Sequence, residues 1–135
     1  MSNEWKSADA EVCREIRHAA SVAARDIQAD FAVTVEPTLA TVPLLDDVLE
    51  EYARNDKFLG AGRLFEMARN LGLLLGEIVV AAKRGRWVVD DGAGRLALRL
   101  GPQATIDPVA WALERLGDPK AGLSRRLEAS LGAAG

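Results

Sequence analysis

From residue 12 onward the apolar positions Val12, Ile16, Ala20, Ala23, Ile27 and Phe31 recur every three or four residues. That interval places them on one arc of an α-helix, predicted over 7–30. Ser7 stands where an N-cap belongs, with Asp9 and Glu11 in the positive first turn. Cys13 falls at the edge of the arc and reads as a small hydrophobe. His18 lies nearly opposite, among Glu11, Arg14 and Arg25, and reads as a solvated histidine. Phe31 to Glu36 then alternates apolar and polar residues and stops at Pro37, the pattern of a short strand or an extended connection. Val42-Pro43 opens a second helix over 43–54, with proline where a missing N–H costs nothing. Leu44, Leu45, Val48, Leu49 and Tyr52 form its inner face. Asp46, Asp47, Glu50 and Glu51 read as its solvated side.

Residues 55–62 read as a turn, and a third helix is predicted over 63–83. Leu64, Met67, Leu71, Leu75, Ile78 and Ala82 line one side of it, with Leu73 and Val80 on the other. Its polar stripe is confined to Glu66, Asn70, Glu77 and Arg84. So narrow a stripe predicts a central helix covered on most sides. Gly72 and Gly76 each cost a helix about 1 kcal/mol relative to alanine. One turn apart, they predict a notch where another element comes close.

The strongest local signal spans 86–100. Trp87-Val88-Val89 and Leu96 to Leu100 flank a Gly-rich turn containing Asp-Gly, which predicts a β-hairpin. Leu96, Leu98 and Leu100 are expected on its core side, and Arg95, Ala97 and Arg99 on its wet side. Thr105-Ile106 suits a further short strand. Asp107-Pro108 starts a helix that stops at Gly117, and Leu123, Leu127 and Leu131 mark a last helix over 120–131. Together these elements predict a single α+β domain over 1–131, followed by a flexible tail at 132–135. Its central helix packs on a small antiparallel sheet built on the 86–100 hairpin, with the remaining helices around it.

Composition narrows the function classes. A chain of 135 residues holds one domain, and about two-thirds of its surface is buried on folding. With 49% hydrophobic and 27% charged residues it belongs with folded globular chains. One cysteine excludes an intramolecular disulfide, and one histidine excludes a His-rich metal site. A net charge of −3 gives no overall attraction to nucleic acid or anionic lipid. Met1 to Glu11 has no apolar signal-peptide core. The most apolar stretch, Leu71 to Ala82, is interrupted by Glu77 and falls short of the roughly 18–20 residues that span a bilayer. A cytoplasmic protein without a membrane partner is expected.

No catalytic constellation emerges. Gly60-Ala61-Gly62 lacks the lysine and the preceding strand of a phosphate loop. The serines have no base within a recognisable pattern. Asp46, Asp47, Glu50 and Glu51 lack the loop spacing of a calcium site. No catalytic residue, metal ligand or cofactor is therefore expected. Glu77 admits two readings: a general base of raised pKa, or a structural acceptor for the hairpin backbone or the indole of Trp87. The second is favoured, making Glu77 and Trp87 structural residues. Lys83, Arg84, Arg86, Arg95 and Arg99 set five cations against Asp90 and Asp91, a local charge of +3. They form the candidate binding surface. Only Trp87 is interleaved with them, which speaks against base stacking, and basic side chains also suit a helix C-terminus and a wet strand face.

The order of these pieces resembles a family of uncharacterised bacterial domains of unknown function. The matching pieces are Val35-Glu36-Pro37-Thr38-Leu39, Leu45-Asp46, Leu71-Gly72-Leu73-Leu74-Leu75-Gly76-Glu77, Arg86-Trp87-Val88 and Ile106-Asp107-Pro108. They span about residues 31–117. The resemblance implies a small α+β domain and carries no catalytic residue across. The expected function is a non-enzymatic protein-binding module of bacterial cytoplasm, adaptor-like or immunity-like, with a protein partner. The alternatives are nucleic-acid binding through the basic hairpin, and a small enzyme using Glu77 as acid or base.

Overall fold

Asp9, not Ser7, starts the first helix: its Oδ1 accepts the Val12 backbone N–H at 2.9 Å. Ser7 instead ends a short strand, β1 (Trp5–Ser7), that precedes α1 (Ala10–Phe31). The computed structural model describes residues 5–90, 92–102 and 104–134. Asp91, in the expected hairpin turn, and Gly135, in the expected tail, lie outside them. After α1 come a 3-10 turn (Leu39–Thr41), α2 (Val42–Arg54), α3 (Asp56–Leu59) and α4 (Ala61–Ala81). Then follow β2 (Arg86–Asp90), β3 (Leu96–Arg99), β4 (Thr105–Ile106), α5 (Pro108–Gly117) and α6 (Leu123–Ala134).

The chain folds as an α+β domain with helices packed on one antiparallel sheet in the order β1-β2-β3-β4. In the central pair Trp87 stands opposite Leu98 and Val88 opposite Ala97. Trp87, Leu98 and Ile106 form the sheet's contribution to the core. The helix predicted as central is so: α4 packs chiefly against α1 and α5, and Leu71, Leu75, Ile78 and Val79 are sealed from solvent. Ile27 of α1, Leu45, Val48 and Leu49 of α2, and Leu123 of α6 complete one continuous core.

Of the two readings of 31–36 the extended connection holds: residues 32–36 make no strand ladder, because α1 runs on to Phe31 and ends at Ala32 in the left-handed region (φ 55°). Three local expectations are corrected. The expected turn at 55–62 contains the single-turn helix α3. On the sheet face expected to be wet, Val88 and Ala97 are buried. Register puts Trp5 beside Asp90 on that face, and the Arg95 guanidinium lies 5.9 Å over the Trp5 ring. Finally, α6 starts three residues later than expected and continues through Gly132 to Ala134.

Candidate functional site

The α4–β2 junction is built around the paired glycines. A Cβ on Gly76 would overlap Cζ2 and Cη2 of Trp87, and one on Gly72 would stand 2.7 Å from the Pro108 carbonyl oxygen. The notch thus admits an indole at one step and the start of α5 at the other. Trp87 lies 5% exposed in this slot, and its Nε1–H donates to Glu77 Oε2 at 3.2 Å. The carboxylate that sequence could assign either to chemistry or to structure is held by a neutral donor at the helix–sheet contact.

The five basic residues do not act as one patch. Arg95, although its side chain is largely exposed, is drawn to the hairpin: its Nε lies 3.8 Å from Asp90 Oδ2, and its guanidinium covers Trp5. Asp90 is fully buried. Its Oδ1 accepts the Gly92 N–H at 2.9 Å and the Ala93 N–H at 3.4 Å, which fixes the turn before Gly94 (φ 67°). The carboxylate that sequence set against the basic cluster is therefore committed to the hairpin turn and to Arg95.

At the opposite end of the strands no described carboxylate pairs with the basic residues. Arg86 stands directly across from Arg99. Arg99 donates from Nε to the Gly101 carbonyl at 3.1 Å and from Nη2 to the Pro102 carbonyl. These neutral acceptors orient the guanidinium without cancelling its charge. Lys83 and Arg84 lie in the connection from α4, with Lys83 in the left-handed region (φ 60°) that ends the helix. Among the described residues, Lys83, Arg84 and Arg86 make no ion pair. A shallow cavity of about 460 Å³ opens here, lined by Gly85, Arg86, Arg99, Leu100, Gly101 and Pro102. Among the described residues that line it are two arginines and no carboxylate. The aromatic nearest in sequence, Trp87, points the other way, into the core.

A second polar centre was hidden from sequence reasoning. Asp46, read as part of a solvated acidic face, accepts hydrogen bonds from the backbone of Leu123 at 2.7 Å and of Ser124 at 3.1 Å. The Ser124 hydroxyl donates to it as well, at 3.1 Å. Arg115, buried in α5, brings its Nε within 3.6 Å of the same carboxylate. Every partner comes from one helix terminus or one buried cation, so the centre has the form of a structural joint between α2, α5 and α6. Among the described residues no group of three or more His, Cys, Asp or Glu side chains is arranged to hold a metal ion. No described helix is long and apolar enough to cross a membrane. No family model matches the chain, and neither a curated protein nor a solved structure shows significant similarity to it.

Proposed function

We propose that this chain is a non-enzymatic protein-binding module, adaptor-like or immunity-like, that engages an acidic protein partner through Lys83, Arg84, Arg86 and Arg99. The observation that carries it is the direct cross-strand pairing of Arg86 with Arg99. Like charges directly opposite in a sheet work against the fold by a few tenths to about 1 kcal/mol. Carboxylates from a partner relieve that repulsion and gain two fork-shaped donors, which suits bidentate recognition. A cytoplasmic setting agrees with one free thiol, Cys13.

Nucleic acid is the weaker reading. Stacking platforms for single strands need exposed aromatics among the cations, and Trp87 is buried. The net charge of −3 also opposes long-range capture of a polyanion. An enzymatic use of Glu77 is weaker still, since its Oε2 is engaged by the Trp87 indole.

The test is affinity capture from a lysate of the source organism with the wild-type chain and an Arg84→Glu/Arg86→Glu variant, with and without nuclease. An acidic protein retained by the wild type, lost from the variant and lost at high salt, is the supporting result. Equal capture by both proteins, or capture that nuclease abolishes, overturns the proposal.

A further inference from the structure

Away from the basic end, α1 and α4 leave a cleft between them, and an unusual polar residue opens onto it. Asn70 lies in the middle of α4 and is 8% exposed, whereas Glu66 and Arg69 beside it are exposed. Among the described residues its side-chain amide makes no hydrogen bond, yet neither amide atom is sealed from solvent. An apolar group that covered this amide would desolvate it at a cost of about 1–3 kcal/mol, so an occupant of the cleft has to bond it. The cleft beside it measures about 380 Å³, towards the small end of the range usual for small-molecule sites.

The lining defines what fits. Glu15 and His18 of α1 and Glu66 and Arg69 of α4 supply the charged and titratable groups, and Ala19, Val22 and Leu73 supply apolar wall. Among the described residues Glu15, Glu66 and Arg69 make no ion pair. Both signs of charge are thus available to a ligand. A simple anion would face two carboxylates, and a simple cation would face Arg69. A neutral apolar molecule would leave the Asn70 amide unsatisfied. A small zwitterion with an apolar body avoids all three penalties.

We infer that the α1–α4 cleft is a binding site for a free amino acid with an apolar side chain. Arg69 takes the α-carboxylate, Glu15 and Glu66 take the α-ammonium, and Asn70 completes the polar contacts. The side chain lies on Ala19, Val22 and Leu73. The site is independent of the basic end of the sheet, so either proposal can fail without the other.

The experiment is titration of the ¹⁵N-labelled protein with L-leucine, L-isoleucine and L-phenylalanine, followed by amide chemical shifts. Saturable shifts confined to α1, α4 and Leu96 are expected for at least one of them. Asn70→Ala is expected to weaken that binding about tenfold, the equivalent of one charge-assisted hydrogen bond. Arg69→Gln, on an exposed side chain that leaves the core untouched, is expected to weaken it comparably. The N-acetylated amide of the same amino acid, lacking both charges, is expected not to bind. Absence of saturable shifts with all three amino acids overturns the inference. So does binding that both variants leave unchanged, or shifts that map elsewhere.

Discussion

Asp46 caps a helix that begins 77 residues further along the chain: its Oδ1 lies 2.7 Å from the Leu123 backbone nitrogen. Helix N-termini carry unsatisfied N–H groups and a partial positive charge, and here a side chain from α2 supplies what a local cap usually does. The same carboxylate faces the buried Arg115. Asp46→Ala should therefore remove a cap and strand a buried cation at once. We expect a loss of about 2–4 kcal/mol by urea denaturation. Asp46→Asn keeps acceptor geometry for the helix and should lose about half as much. If Asp46→Ala unfolds at the wild-type midpoint, the joint between α2 and α6 contributes nothing.

The slot that receives Trp87 makes a second expectation. Gly76→Ala puts a methyl group where the indole lies, and overpacking of this kind costs roughly 1–3 kcal/mol. Trp87→Ala should cost about 3 kcal/mol or more, as core tryptophans do. The two changes should not add, because the second removes what the first strikes. Glu77→Gln retains an acceptor for the indole N–H and should be milder than Glu77→Leu. Additive losses for Gly76→Ala and Trp87→Ala, or equal losses for the two Glu77 variants, would contradict the packing described above.

Tyr52 is the one tyrosine in the chain. Burial, and then the charges of Asp30 and Asp26, push its hydroxyl well above the ordinary tyrosine range, with Arg63 opposing in part. The folded chain therefore holds this proton more tightly than the unfolded chain. Stability is unaffected below the unfolded value of about 10 and falls as pH rises above it. Tyrosinate absorbance should appear only well above pH 10, or together with unfolding. Ionisation near pH 10 with the fold intact would show that Tyr52 is freely solvated.

What the sequence made legible was local or periodic. The narrow polar stripe of 63–83 predicted the central helix, the Gly-rich turn predicted the hairpin, and Asp107-Pro108 predicted the cap that Asp107 makes to Ala110. Gly72 and Gly76 announced a close approach because nothing else explains two glycines in a helix. What escaped depends on distant partners. Trp5–Ser7 is too short to show an alternation, and becomes a strand only because β2 offers an edge. Phe31–Glu36 alternates convincingly but finds no edge to join. Asp46 looked like its exposed neighbours until the fold brought Leu123 to it. Asn70 sat in a stripe read as polar, and only the packing of α1 shows it buried. The basic residues were found as a group, but sequence could not separate Arg95, tied to Asp90, from the unneutralised pair at the other end.

That pair is the one the proposed acidic partner would engage, and in the free protein Arg86 and Arg99 stand opposite each other against their own repulsion. The most direct measurement is the unfolding free energy of Arg86→Gln and Arg86→Glu at low ionic strength. Removing the charge should stabilise the free protein, and reversing it should stabilise it further, by about 0.2–1 kcal/mol in all. Salt should shrink the differences among the three proteins. A wild type as stable as both variants, or more stable, would contradict the claim: the two arginines would then be at ease in the free fold.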